Sequence, residues 1–280
     1  MTQLLSFLLV VFGHPLSLLT GFLARLRGPA FLVQAAIRFY FVKRVKVNVA
    51  EIEHPIEHYR SALDFFTRRL APGMRPIATE SNYIVSPADG KISSFGKIVN
   101  GKIHQVKNRT YRLNELVGEE KARIFENGDS YTVYLSPRDY HRVHHAFGGK
   151  LEEALYFPGR LFPVNEFSLR NFDGVFSRNK RIALFYKTKT FSYSMIFVGA
   201  LNVGSIRLSF DPRFWTTAQK TTGGLRQKRY SHLFPAKGDE AGAFELGSTI
   251  ILLFPKNTVH FFPKEAGDAV RMGRPIARLR

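Results

Sequence analysis

The pattern of apolar and polar positions divides the chain into two parts. The first part contains long apolar runs, which are typical of helices rather than of half-buried strands. These runs are Leu4 to Phe12, Leu16 to Leu23 and Phe31 to Val42. The apolar spacing from His58 to Leu70 predicts one more helix, and the turn-forming cluster Ala71-Pro72-Gly73 follows it. We therefore predict a helical leader over residues 1–72.

Short apolar or alternating segments, separated by Gly, Asn and Pro, make up the rest of the chain, and this pattern predicts strands. The predicted strands are Tyr83 to Val85, Lys91 to Ile98, Gly101 to Val106, Ser130 to Leu135, Arg181 to Tyr186, Ser194 to Val198, Ser205 to Phe210, Thr249 to Phe254 and Val259 to Phe262. The sequence thus predicts an α+β fold, in which a β-rich domain over residues 73–280 follows N-terminal amphipathic or apolar helices.

The leader is basic as well as apolar. It contains six Lys and Arg residues before the first carboxylate, Glu51. Basic apolar segments favour the surface of an anionic bilayer, although a buried helical hairpin of the core is the open alternative. The first 24 residues carry no formal charge, but Gly13-His14-Pro15 interrupts them. We therefore expect short interfacial helices. We do not expect a signal peptide, because no basic residue precedes Leu4 and no small-x-small site follows the apolar run.

Overall charge narrows the classes of partner. The 280 residues include 41 Lys and Arg against 22 Asp and Glu, a formal charge of +19, which favours an anionic partner. Nucleic acid, an anionic bilayer and an acidic small substrate all fit this charge. The basic residues are dispersed, however, and no zinc-finger or RNP-type motif accompanies them, which argues against nucleic acid. The chain has no cysteine, which excludes disulfides, thiol nucleophiles and cysteine-ligated metals.

Three common catalytic motifs do not fit the residues present. Leu151 follows Gly149-Lys150, where a phosphate-binding loop needs Ser or Thr. His141 and His145 have the spacing of a zincin helix, but Arg142 stands where the general base should be. Ile250 stands two residues after Ser248, where a serine-hydrolase elbow needs Gly. We therefore expect neither a metal nor one of these hydrolase sites.

Four segments combine polar residues with turn formers, and each alone would be compatible with a turn or loop. They are Ser86-Pro87-Ala88-Asp89-Gly90, the run Ser136 to His144, the run Pro158 to Asn165, and Leu246-Gly247-Ser248-Thr249. Together, in this order, they resemble the proenzyme of bacterial phosphatidylserine decarboxylase. The resemblance extends from about Phe65 to the C-terminus. It implies decarboxylation of phosphatidylserine to phosphatidylethanolamine and carbon dioxide, as a step of phospholipid biosynthesis.

Removing carbon dioxide from an amino acid leaves electrons on the α-carbon, and an electrophilic carbonyl cofactor is needed to accept them. The resemblance implies that the chain makes a pyruvoyl group from Ser248. The Ser248 hydroxyl attacks the Gly247 carbonyl, so that the peptide bond becomes an ester, and β-elimination of this ester cuts the chain into residues 1–247 and 248–280. Water then hydrolyses the new N-terminus at position 248 to the pyruvoyl group, and its nitrogen leaves as ammonia. Gly247 suits this attack because it has no Cβ. The pyruvoyl group would then form a Schiff base with the substrate amine.

The resemblance also implies roles for three further residues. His144 is the base that activates Ser248, and Asp89 is the partner of His144, in the manner of a charge relay. His141 handles a proton or positions the substrate during decarboxylation. His145 matches no motif position and is expected to be structural.

The implied partners are phosphatidylserine and an anionic phospholipid membrane, at the cytoplasmic face of the bacterial inner membrane. The two chains of the cleaved proenzyme should stay associated, and a homodimer is left open. Two alternatives to this function remain: a non-catalytic peripheral membrane protein, and the same pyruvoyl chemistry on a soluble amine.

Overall fold

The computed structural model describes residues 19–106, 109–201, 205–216, 224–245 and 248–280. The apolar run Leu4 to Phe12 and the interruption at Gly13-His14-Pro15 lie outside the described residues. So do Leu246 and Gly247, of which Gly247 belongs to the predicted cleavage site. Ser248 is described through its backbone, which begins a strand.

The described residues form seventeen strands. They are β1 Tyr83–Val85, β2 Gly90–Lys97, β3 Lys102–Val106, β4 Arg109–Arg112, β5 Asp129–Leu135, β6 Arg142–His144, β7 Lys150–Phe157, β8 Arg181–Lys187, β9 Ser192–Gly199, β10 Ile206–Leu208, β11 Trp215–Thr216, β12 Arg226–Arg229, β13 Glu240–Phe244, β14 Ser248–Phe254, β15 Val259–Phe261, β16 Ala269–Val270 and β17 Pro275–Leu279.

The helices are short. They are α1 Ala30–Ile37, which continues as a π-helical segment Arg38–Arg44, then α2 Ala62–Phe66, α3 Leu113–Val117, α4 Glu119–Phe125, α5 Glu166–Asn171 and α6 Val175–Arg178. Residues 19–25 are also helical, and single 3-10 turns occupy Val49–Glu51 and Ile56–His58. The strands and helices confirm the predicted α+β class.

An antiparallel eight-stranded sheet, in the order β12-β7-β8-β9-β14-β5-β2-β16, forms the centre of the molecule. Strand β14 lies inside this sheet, between β9 and β5. Alternate side chains of a strand point to opposite faces. Accordingly, Ile250, Leu252 and Phe254 belong to one buried cluster, whereas Ile251 and Leu253 belong to a second. Both faces of β14 are therefore covered, which explains why its sequence is apolar without interruption.

Leader residues form a third, smaller cluster. It consists of Ile37, Phe41, Val47, Ile56, Tyr59, Phe65 and Phe66.

The leader also exposes apolar side chains. Of fifteen large hydrophobic side chains exposed among the described residues, eight lie between Leu19 and Tyr40. Within the described part of the chain, no helix combines the length and apolarity needed to cross a bilayer.

The predicted helix from His58 to Leu70 is shorter in the structure. It begins after Ser61, whose hydroxyl accepts a hydrogen bond from the Asp64 amide at 3.0 Å, and it ends at Phe66. Beyond it, Leu70 forms an antiparallel bridge with Ile52. The apolar spacing predicted the helix but not its C-terminal end. The pairing of Leu70 with Ile52 joins residues that are distant along the chain, so the spacing could not indicate it.

Candidate active site

Three strand ends bring the predicted site residues to one end of the central sheet. In the antiparallel register Ser248 lies opposite Leu135, the last residue of β5, and opposite Gly199 of β9. Strand β2 begins at Gly90 and pairs with the same end of β5. Asp89, the residue before β2, therefore lies at this end of the sheet. Adjacent strands are about 4.8 Å apart, so two strand spacings, roughly 10 Å, separate the backbones of β14 and β2 here.

The two histidines are linked to this end by backbone hydrogen bonds. The amide of His144 donates to the carbonyl of Pro87 at 2.8 Å, two residues before Asp89. The amide of Phe244, four residues before Ser248, donates to the carbonyl of His141 at 3.0 Å. The structure therefore gathers the segments that carry Asp89, His141, His144 and Ser248.

Asp89 is buried, and it is bound by an arginine that the sequence did not indicate. Arg75 donates from Nε to Oδ1 at 2.9 Å and from Nη2 to Oδ2 at 2.5 Å. The amide of Met272 adds a hydrogen bond to Oδ1 at 2.8 Å. Arg75 Nη2 also binds Glu51 of the leader at 2.7 Å. One guanidinium thus joins Asp89 to the leader.

Gly90 is required by close packing. A Cβ at this position would lie 2.2 Å from the carbonyl oxygen of Tyr134, well inside the contact distance of two heavy atoms. The glycine lets β2 approach β5 directly after Asp89, and so keeps the carboxylate at the end of the sheet.

His144 is half-buried, and both of its ring nitrogens have partners. Nδ1 lies 2.8 Å from the carbonyl oxygen of Gly238, and Nε2 lies 3.1 Å from the hydroxyl of Tyr140. Because a carbonyl only accepts, Nδ1 carries the proton and Nε2 accepts from Tyr140. Burial lowers the pKa of His144, although the Gly238 carbonyl partly offsets this effect. His144 is therefore a neutral base at neutral pH, with its lone pair on Nε2.

The predicted partnership of Asp89 and His144 is not a direct hydrogen bond in this conformation. Asp89 binds Arg75 and Met272, whereas His144 binds Gly238 and Tyr140. The two side chains still interact at longer range, since the Asp89 carboxylate acts to raise the pKa of His144.

His141 is fully buried, and one of its nitrogens has no partner. Nδ1 donates to the carbonyl of Asp139 at 2.9 Å, and the ring packs at a tilt of 41° against Phe66 of the leader, with centroids 3.9 Å apart. No hydrogen-bonding group of the described residues reaches Nε2. Burial lowers the pKa of His141 to about 3, so this nitrogen is an unprotonated acceptor. An unsatisfied buried acceptor is costly unless a ligand or water donates to it.

His145 lies in the protein core and contacts aromatic side chains. It is buried, its Nδ1 lies 2.9 Å from the hydroxyl of Tyr186, and its ring packs near Phe210.

Sequence analysis did not predict three residues of this site: Arg75, Tyr140 and Gly238. Tyr140 stands inside the run Ser136 to His144 and could have been found from its spacing to His144. Arg75 and Gly238 carry no local signal, because their roles depend on chain segments that meet only in the folded protein.

Comparisons with known proteins give the family that the four motifs together predicted. The family model described as phosphatidylserine decarboxylase matches residues 62–278. The chain belongs to this family. A phosphatidylserine decarboxylase proenzyme of Shewanella sp. strain ANA-3 is 39% identical over 277 residues, which cover 95% of this chain and 93% of the relative.

Two more relatives carry the same name. The proenzyme of Shewanella frigidimarina strain NCIMB 400 is 37% identical over 281 residues, covering 95% of this chain and 94% of the relative. That of Shewanella baltica strain OS155 is 38% identical over 282 residues, covering 95% and 93%. Membership of the phosphatidylserine decarboxylase family confirms the predicted resemblance, and it argues against both the nucleic-acid-binding and the non-catalytic alternatives.

Proposed function

We propose that this chain is a proenzyme that cuts itself between Gly247 and Ser248 and then decarboxylates phosphatidylserine to phosphatidylethanolamine. The observation that carries the proposal is the convergence of Asp89, His141, His144 and Ser248 at one end of β2, β5 and β14. In a chain of this family, this placement supports one site for both self-cleavage and decarboxylation.

His144 suits the role of base in self-cleavage. Its neutral imidazole has the lone pair on Nε2, and the Gly238 carbonyl holds the ring in this tautomer. Taking a proton from the Ser248 hydroxyl would require Nε2 to exchange its hydrogen bond from Tyr140 for one from Ser248. Asp89 would stabilise the resulting imidazolium through its charge.

The residues present also fit a pyruvoyl group made from Ser248. His141 has a buried acceptor that the described residues leave unsatisfied, and its backbone is bonded to Phe244, just before the cleavage site. The group supplies the electron sink for loss of carbon dioxide. His141 would hold or move a proton at Nε2 beside it.

The position of β14 supports association of the two chains after cleavage. The small chain, residues 248–280, would begin with the strand that pairs with β5 at seven positions and with β9 at six. Its later strands pair with β1 and β2. Separating this chain would break the centre of the sheet and expose both cores.

Intact-mass spectrometry of the purified protein tests the proposal. We expect two chains, residues 1–247 and 248–280, with a borohydride-reducible carbonyl on the smaller one, and carbon dioxide release from phosphatidylserine. The Ser248→Ala chain should stay full-length and inactive. An active wild-type protein that remains one uncut chain would refute the mechanism.

We further propose that the leader binds the anionic surface of the membrane that contains the substrate, peripherally and at the cytoplasmic face. Support comes from the exposed apolar side chains between Leu19 and Tyr40, which are interspersed with Arg25, Arg27 and Arg38. A soluble amine substrate would leave these exposed groups without a role.

Co-sedimentation with vesicles of phosphatidylserine and phosphatidylcholine distinguishes a membrane lipid from a soluble amine as the substrate. The double variant Phe31→Gln with Phe39→Gln should lose most vesicle binding and most activity on vesicles. Phe234→Gln, which alters an equally exposed side chain of the β-rich part, is the matched control and should bind as wild type. Unchanged sedimentation of the double variant would favour the soluble-amine alternative.

A further inference from the structure

A cavity of about 270 Å³ lies between the leader and the β-rich part, beside the residues just described. Asp89 and Tyr140 line it, and Tyr140 is the residue that binds His144. In all, five cationic and three carboxylate side chains line this cavity: Lys46, Arg68, Arg75, Arg138, Arg271, Glu51, Asp89 and Asp139.

The carboxylates of the cavity are already satisfied. Arg75 binds both Asp89 and Glu51. Asp139 accepts hydrogen bonds from the amide and the hydroxyl of Ser136, each at 2.7 Å. The remaining cations therefore leave the cavity with excess positive charge.

Arg68 is the most unusual of these cations, because it is 4% exposed and no carboxylate of the described residues forms an ion pair with it. Its Nη2 donates to the carbonyls of Arg138 at 2.8 Å and Asp139 at 3.1 Å. Its Nε and Nη1 are buried without a partner in the described residues. Burial lowers the pKa of Arg68 to about 10, so the group stays charged at neutral pH. Asp139, Asp89 and Glu51 act on Arg68 only at longer range and do not outweigh its burial. A buried cation without a direct ion pair is costly, and an anion in the cavity would offset that cost.

Arg68 is also close to the chemistry. The carbonyl of Asp139 accepts hydrogen bonds from both Arg68 Nη2 and His141 Nδ1. A buried cation and a histidine, each with unsatisfied nitrogens, thus flank one carbonyl group. An anionic ligand of Arg68 would lie next to His141.

We infer that this cavity binds the phosphodiester of the phospholipid head group, with Arg68 as its buried cation and Arg138 at its exposed rim. The inference rests on the proposed function and adds the residues that hold the lipid phosphate.

The reaction itself favours the phosphodiester over the serine carboxylate as the ligand of Arg68. The carboxylate loses its negative charge as carbon dioxide leaves, so a cation bound to it would stabilise the substrate more than the transition state. The phosphodiester keeps its charge throughout. A cation bound there contributes equally to substrate and transition state, and therefore acts on KM.

Kinetics of Arg68→Gln on monomeric dihexanoyl phosphatidylserine test this inference. We expect the variant to cut itself like wild type and to keep kcat within about threefold, while KM rises about tenfold to hundredfold, as for loss of a charged hydrogen-bonding partner. Arg138→Gln, whose side chain is 53% exposed, should fold regardless and raise KM by a smaller factor. Arg123→Gln, on an exposed face of α4, is the matched control and should change neither constant.

Calorimetry with two small probes separates the sources of negative charge. Glycerophosphocholine has the phosphodiester but neither a carboxylate nor a reactive amine, and N-acetylserine has only the carboxylate. Wild type should bind glycerophosphocholine, and Arg68→Gln should lose this binding. The affinity for N-acetylserine should be the same in both proteins. Loss of N-acetylserine binding instead would assign the cavity to the carboxylate and overturn the inference.

Two other results would also overturn it: a fall in kcat at constant KM, or an unchanged KM in both arginine variants. If Arg68→Gln fails to fold, the Arg138→Gln kinetics and the wild-type probe titrations decide. Failure of the proposed function would look different, because wild type itself would then be uncut or inactive. Calorimetry on wild type would still report whether the cavity takes a phosphodiester.

Discussion

Arg75 and Asp89 form a bidentate ion pair, with Nε to Oδ1 at 2.9 Å and Nη2 to Oδ2 at 2.5 Å. Both side chains are more than nine-tenths buried, and Glu51 of the leader binds the same guanidinium. The carboxylate expected to assist His144 is therefore held by an arginine in this conformation. Burial opposes the charge of Arg75, but its two carboxylate partners outweigh this and raise its pKa above the usual value.

Removing Arg75 should destabilise the fold, because it leaves two carboxylates without their common counter-ion. In the uncut Ser248→Ala background, we expect Arg75→Gln to lower the free energy of unfolding by about 3 kcal/mol, measured by urea denaturation. Arg271→Gln is the control: Arg271 lies 3.8 Å from Glu51 but its side chain is 64% exposed, and we expect a change below about 0.5 kcal/mol. Equal stability of the two variants would contradict a structural role for the Arg75 pair.

In the proposed self-cleavage, the hydroxyl of Tyr140 would compete with that of Ser248 for Nε2 of His144. Tyr140→Phe removes this 3.1 Å hydrogen bond and leaves the ring in place. A neutral hydrogen bond contributes about 1 kcal/mol, so self-cleavage should be up to about fivefold faster. A time course of chain cutting after cell-free translation measures this rate, with Tyr83→Phe as control. Slower cutting would show that Tyr140 assists proton transfer rather than competing with it.

The two histidines should separate the two reactions. His144→Ala removes the proposed base and should leave a full-length chain. His141→Ala removes the unpartnered acceptor and should cut normally but lose decarboxylation. Intact mass and carbon dioxide release, measured on the same preparations, check both outcomes. Equal cutting in the two variants would refute this division of roles.

Stability should fall in mild acid because His141 and His145 are buried as neutral rings. Burial lowers the pKa of His141 to about 3 and that of His145 to about 4. Below pH 6.5 the unfolded chain binds protons that the folded chain does not, so stability is full above this pH and is lost as the pH falls. Each histidine should cost roughly 2 kcal/mol between pH 8 and pH 5.

Urea denaturation of the Ser248→Ala chain at these two values of pH checks this expectation. Adding His145→Gln should reduce the loss between pH 8 and pH 5 by roughly 2 kcal/mol, since one titrating group is removed. An unchanged pH dependence would mean that His145 is protonated in the folded protein.

Strands were predictable where apolar side chains alternate or run without interruption, as in Ser130 to Leu135 and Thr249 to Phe254. Strand β7, Lys150–Phe157, was missed because Glu152 and Glu153 interrupt its apolar pattern. Glu153 is nevertheless 3% exposed, and an ion pair with Lys121 compensates its charge at 2.6 Å. A charged residue inside a sheet is intelligible only once its partner from another element is known.

Residue identity and period along the chain were enough to predict the fold class, most of the central strands and the four motifs that indicate the family. Tertiary structure alone decided the partners of those motifs. Arg75 reaches Asp89 across 14 positions of the chain, and the carbonyl of Gly238 reaches His144 across 94. Such contacts follow from how strands and loops pack, which no local pattern encodes. The same packing buried Arg68 without a direct ion pair, and left Nε2 of His141 without a hydrogen bond, among the described residues.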